Sequence, residues 1–309
     1  MTVKAKINGQ DYTLVYNSAT GKYEAEFTAP SASSYQNNDG HYFPVTITAT
    51  DEAGNTTTIS DTVGNFTENL KLFVKEQIKP KVVDLSPSDG SYITTSNPTF
   101  SFSVLDNVNG QESGYSGINP DSIVLTIAGK VVNSSDITKT PVTGGYECAY
   151  IPFDAIADGA CAVSVKASDY DGNESNLVEA VFNIDTVPPV LEVTSPADGL
   201  TTNKSKIVVT GRTSDASSSP VAIEIRVNDE DQGEVLVESD GSFSKEIILT
   251  EQGAHIITIT SIDSAGRESV VVRTVVLKTS GPEFEFVGIA PNPVNAGKTY
   301  TISVTFVED

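Results

Sequence analysis

The sequence predicts an all-β protein: β-sandwiches in tandem, arranged as an elongated rod, with a short C-terminal β-hairpin segment. Three observations carry that expectation. Apolar and polar residues alternate with period two over many stretches, no comparably long stretch has apolar residues at helical spacing, and one turn motif is written three times along the chain.

The strands come first. In "HYFPVTITATD", Val45 and Ile47 alternate with Thr46 and Thr48. In "ACAVSVKASD", Cys161, Val163 and Val165 alternate with Ala162, Ser164 and Lys166, and "AHIITITSID" repeats the pattern around Ile257 and Ile259. A period of two rich in β-branched residues is a half-buried strand. The 23 Gly and 15 Pro supply turns throughout. "YNSATGKYEAEF" reads as a hairpin turning near Gly21, and "VLVESDGSFSKEIIL" as one turning at Asp240-Gly241.

The repeated motif is "DEAGN" from Asp51, "DYDGN" from Asp169 and "DSAGR" from Asp263. Each follows a strand-like stretch, and the copies recur at roughly the 100-residue length of one sandwich. It is predicted to be the tight turn joining the last two strands of each repeat. Aspartate accepts hydrogen bonds from the turn's own amides and glycine supplies the positive φ. A second signal, "SPSDG" from Ser86 and "SPADG" from Ser195, marks where modules begin. Pro80 and the Pro188-Pro189 pair lie ahead of these and make short, stiff linkers. The modules are therefore placed at 1–78, 79–187 and 188–280, with 281–309 a two-stranded arm or the start of a fourth module.

Composition excludes several partners. The 41 acids against 19 Lys plus Arg give a net charge of −22, which repels phosphate backbones and anionic membranes, so neither nucleic acid nor membrane is expected. No apolar run approaches the roughly 20 residues of a spanning helix. "MTVKAKINGQ" goes straight into alternation without the pattern of a signal peptide, which reads either as a protein not exported by that route or as a piece of a longer chain.

"ATDEAGN", "ASDYDGN" and "DTVPPVLEVTSPADG" resemble bacterial immunoglobulin-like (Big-type) repeat modules over nearly the whole chain. With "ASSYQNNDGHYFPVTITATDEAGN" and "PNPVNAGKTYTISV", the chain looks closest to Ig-like repeat proteins encoded among tail and other structural genes of phages and prophages of gut bacteria. The resemblance implies a non-enzymatic virion component made in the host cytoplasm, in the tail rather than the capsid, with weak attachment to cell-surface or mucus glycans. The alternatives are a bacterial cell-surface adhesin or stalk, or the accessory region of a secreted glycan-active enzyme. Arg267 departs from the pattern, standing where the other two turns have Asn55 and Asn173.

The residues offer few catalytic candidates. His41 and His255 fall in different modules, and no G-x-S-x-G elbow, HExxH pair or phosphate-cradling glycine loop occurs. No cofactor is expected apart from calcium. Asp51, Asp169, Asp171, Asp185 and Asp263 near the module junctions are the candidate calcium ligands, since the ion wants six to eight oxygens and loops of adjoining modules can pool them. "DNVNGQESG" from Asp106 fails the EF-hand spacing because Val108 stands where an oxygen ligand belongs. The ion-free aspartate turn is favoured, and exposed acidic turns of this kind predict that chelation shifts the melting temperature by no more than ~1 °C.

Sugar sites stack rings on flat aromatics, and the chain has no Trp. Tyr35 and Tyr115, on polar loops, are the candidates, whereas Tyr42 reads as a packing tyrosine. In an Ig-like sandwich the strands of Cys148 and Cys161 can belong to facing sheets, which allows a bridge, and buried free thiols are favoured over one. In the C-terminal segment Phe284, Phe286, Ile289, Tyr300, Ile302 and Val304 are the candidate assembly residues. They would add strands to another copy or to a neighbouring virion protein.

Overall fold

The structure, a computed structural model, describes residues 1–106 and 114–307. Val108 and the rest of the rejected EF-hand segment up to Ser113 lie outside the described residues. The chain divides into two compact units, 1–184 and 185–309. Their regular structure is almost wholly β.

Residues 1–78 contribute β1 (Thr2–Ile7), β2 (Gln10–Asn17), β3 (Lys22–Glu24), β4 (Phe43–Thr50), β5 (Thr56–Ile59) and β6 (Lys71–Leu72). They lie in one sheet of order β3-β2-β1-β4-β5, with β6 pairing on β4. The hairpin expected at Gly21 is present as β2–β3. This part differs from the sandwiches that follow. Its described core is small (Val3, Ala5, Phe43, Leu70 and Val74) because its strands alternate with threonine and leave both faces half exposed.

The second group is β7 (Lys81–Ser86), β8 (Tyr92–Ile93), β9 (Phe100–Leu105), β10 (Val124–Ile127), β11 (Lys130–Val131), β12 (Thr138–Val142), β13 (Gly145–Tyr150), β14 (Gly159–Lys166) and β15 (Val178–Ile184). Two sheets form, β12-β13-β9-β7 and β11-β10-β14-β15-β8. Phe100, Phe102 and Val104 of the first face Val163, Val165 and Phe182 of the second, in one core with Cys148 and Cys161. Both cysteines are buried and free. Burial pushes the Cys148 thiol up to about 11.

The third group repeats this plan: β16 (Val190–Ser195), β17 (Leu200–Thr202), β18 (Lys206–Ser214), β19 (Ala222–Val227), β20 (Glu230–Asp231), β21 (Ser242–Ile248), β22 (Gly253–Ile262) and β23 (Glu268–Leu277). Its sheets are β16-β18-β21 and β17-β23-β22-β19-β20, around a core that includes Ile225, Ile257, Ile259 and Val275. The Asp240-Gly241 turn is present, but its first arm is a single bridge from Val237 to Phe243 rather than a strand.

The "SPxDG" signal does more than mark a beginning. It carries the chain from one sheet to the other. After β7 the chain turns and β8 pairs parallel to β15, and after β16 the chain turns and β17 pairs parallel to β23. Asp89 Oδ1 accepts from Val181 N–H at 2.7 Å while Gly90 N–H donates to Val181 O at 2.7 Å. Asp198 and Gly199 do the same with Thr274, at 2.8 Å each.

The C-terminal segment forms β24 (Phe284–Ala290) and β25 (Thr301–Phe306), an antiparallel pair that joins no other sheet among the described residues. A bulge at Glu285 shifts the register, so Phe284, Val287 and Ile289 oppose Phe306, Val304 and Ile302 on one face. Phe286 is turned to the other face, over Gly288, and Tyr300 precedes β25. The apolar face thus includes Val287 and Phe306 in place of Phe286 and Tyr300.

Candidate metal centres

The three aspartate turns share one geometry. Asp51 N–H bonds Asn55 O at 3.0 Å, Asp169 N–H bonds Asn173 O at 3.1 Å and Asp263 N–H bonds Arg267 O at 3.1 Å. In each, the aspartate Oδ1 accepts the amide four residues on, at 2.8, 2.8 and 2.9 Å. Gly54, Gly172 and Gly266 take φ of 85°, 92° and 78°, the left-handed region that favours glycine.

What differs is the company each aspartate keeps. Asp51 is exposed, and its carboxylate is spent on Ala53, Asn55 N–H and the Asn55 side chain. Asp169 is buried with Glu76 and Asp106, one carboxylate oxygen of each lying within 4.8 Å of the others. Asp263 converges in the same way with Asp185 and Asp215. Asp171 stays beside the first triad, its Oδ2 accepting from Glu76 N–H at 2.9 Å. The expectation of exposed acidic turns is therefore corrected for Asp169, Asp185 and Asp263, which are 2%, 0% and 5% exposed.

The triads are built from equivalent positions. Glu76 and Asp185 come from the lead-in segment, Asp106 and Asp215 follow the strands β9 and β18, and Asp169 and Asp263 begin the turn. Glu76 and Asp215 escaped the sequence reading, which met Asp106 only as the head of a rejected EF-hand segment. The signal that finds Asp106 and Asp215 is an Asp closing the alternating runs "SFSVLD" and "VTGRTSD".

In the first triad Asn173 Nδ2 donates to Glu76 O, Glu76 Oε1 and Asp169 Oδ2 at 3.1, 3.0 and 2.7 Å. Glu76 Oε2 accepts from Ile78 N–H. Asp106 Oδ2 accepts from Gly117 N–H at 2.6 Å, and Oδ1 has no partner among the described residues. Burial, reinforced by the neighbouring carboxylates, raises Glu76 to about 7 and Asp106 to about 6. In the second triad Asp263 Oδ2 is the oxygen without a partner among the described residues. Oxygen-only donors of this density suit a hard divalent cation.

The remaining candidates are placed as follows. Tyr35 is stacked on both faces, by His41 at 3.8 Å and Tyr170 at 4.3 Å between ring centroids, each within 9° of parallel. It therefore has no free face for a sugar ring. Tyr115 is half-buried and lines a cleft of about 490 Å³ with Tyr146, Tyr170 and Gln36. Tyr42 packs edge-on against Phe73 and donates to Asp61 Oδ2 at 2.9 Å. His41 is exposed, whereas His255 is buried in β22 and bonded to Asn228 and to Glu251 O.

A family described as glucodextranase, domain B, matches residues 189–279. Bacillopeptidase F of Bacillus subtilis (strain 168) is 28% identical over 135 residues, which is 44% of this chain and 9% of that protein. The chain thus spans under a tenth of that relative. Among solved structures, the fibronectin(III)-like modules of Clostridium thermocellum CbhA match 64% of this chain and 94% of theirs, at 15% identity and TM-score 0.38. Sidekick-1 immunoglobulin domains 1–5 match 99% of this chain and 60% of theirs, at 10% identity and TM-score 0.38.

Proposed function

We propose that this chain is a non-enzymatic structural and interaction protein whose tandem Ig-like modules act as a spacer in a phage virion, in the tail. The observation that carries the spacer reading is the way residues 1–78 are tied to the next module. Gln36 Nε2 donates to Ser116 O at 2.6 Å, Ser33 N–H donates to Gly114 O at 2.9 Å, Tyr35 stacks on Tyr170, and Asn173 holds Glu76. A bead on a loose linker makes no such set of bonds. The resemblance to phage repeat proteins supports the virion setting, and the apolar face of the C-terminal hairpin supports contact with other virion proteins or further copies.

A second reading is an accessory region of a secreted enzyme, which the match of residues 189–279 to glucodextranase domain B favours. Mass spectrometry of purified particles, beside the particle-free supernatant and washed cells, separates the readings. Recovery with the particles at fixed stoichiometry supports the virion spacer. Recovery only in the supernatant, linked to a catalytic domain, overturns it.

A further inference from the structure

The two carboxylate triads are built alike but neutralised differently. In the second, Asp185 accepts from Val187 N–H at 3.2 Å, from Ser217 Oγ at 3.0 Å and from Ser218 Oγ. Asp215 Oδ1 accepts the amides of Ser217 and Ser218, both at 2.8 Å. Arg267 occupies the turn position that Asn173 holds in the first triad. Its Nε donates to Asp185 O at 3.0 Å, as the Asn173 amide does to Glu76 O, and its charge acts to stabilise the Asp185 carboxylate. A positive charge is thus held beside the second triad.

The first triad has no such group. Among the described residues no Lys or Arg ion-pairs with Glu76, Asp106 or Asp169, and the nearest lysine contact is Lys75 Nζ on the backbone oxygen of Asp171 at 3.1 Å. Among the described residues no serine lends a hydroxyl to Asp106, and its Oδ1 is left without a partner at 2% exposure. Burying three carboxylates together without a counter-charge is costly, because their repulsion is weakly screened there.

We propose that the Glu76–Asp106–Asp169 triad binds one divalent cation of the calcium class, and that Arg267 stands in for that ion at the second triad. All three donors are carboxylate oxygens, the hard set that calcium takes in variable geometry, whereas magnesium demands a near-ideal octahedron. Asp106 Oδ1 is the open ligand, and water completes the shell. Asparagine leaves the first site its full negative charge, and arginine removes one unit from the second. The chain therefore carries one strong site, set where residues 73–79 meet the second module. This goes beyond the spacer reading, which an ion-free chain would leave standing.

The test is isothermal titration of chelator-stripped full-length protein with calcium chloride, beside Glu76→Gln, Asp106→Asn and Arg267→Asn. The wild type is expected to bind about one equivalent. Either carboxylate variant should weaken binding at least tenfold while the ion-free protein melts no lower, since each relieves repulsion. Arg267→Asn should raise the stoichiometry to two. Absence of calcium binding by the wild type overturns the site. Two equal sites in the wild type, or one site retained in Arg267→Asn, overturns the role given to arginine.

Discussion

The side-chain amide of Asn173 donates to both the carbonyl oxygen and Oε1 of Glu76, at 3.1 and 3.0 Å, across 97 residues of sequence. One turn residue thereby holds the lead-in segment by its backbone and its acid together. Replacing it with alanine leaves Glu76 and Asp169 short of donors in a buried place. Asn173→Ala is expected to destabilise residues 1–184 by about 1–3 kcal/mol while 185–309 melts unchanged. Calorimetry in chelator checks this.

The same acids set a pH dependence. Glu76 at about 7 and Asp106 at about 6 stand above their ordinary values, so folding takes up protons between those values and the unfolded ones. Their contribution to the stability of the ion-free N-terminal unit should be full below about pH 4 and be lost progressively as pH rises to about 7, by on the order of 1–3 kcal/mol, the reverse of a salt-bridged acid. Denaturant titrations at several pH values measure it, and Glu76→Gln should flatten the slope.

Much of this was legible. Alternation named β14 and β22 because each has one face in a core, and the D-x-x-G turns were readable because Asp and Gly each have a local task. The triads were not readable. Their members are far apart in sequence, and an Asp closing a strand looks like any solvated strand end until two sheets bring it against a turn. Tyr35 misled for a related reason, since nothing near residue 35 announces that Tyr170 covers it.

Gly211 tests the packing of the third module. A Cβ there would stand 2.2 Å from Glu192 O and 2.5 Å from the Phe243 ring. Gly211→Ala should cost about 2–4 kcal/mol, seen as a lower denaturant midpoint for the second unit alone.

Cys148 and Cys161 should resist Ellman's reagent at pH 8 in the native protein and react fully in urea, because burial denies the thiolate at both. Rapid native reaction would show that the core of the second module opens readily.

The hairpin face should govern association. Phe284, Val287, Ile289, Ile302, Val304 and Phe306 are 40–66% exposed side by side. Val304→Lys is expected to reduce concentration-dependent association in sedimentation velocity without moving the melting of either unit, and deleting 281–309 should abolish it.

The parallel pairing of β8 with β15, and of β17 with β23, bears on how a module takes force. The second strand of a module lies along the strand at its end, joined by Asn183 N–H to Ser91 O at 2.8 Å and, in the third module, Lys278 N–H to Thr202 O at 2.9 Å. The Asp89 and Asp198 bonds lie in the same rows. Tension along the chain pulls these strands past one another, so the bonds of a row bear load together instead of opening one by one like a zip. Yielding then waits on the concerted loss of the row, and under pull each sandwich behaves as a shear pin.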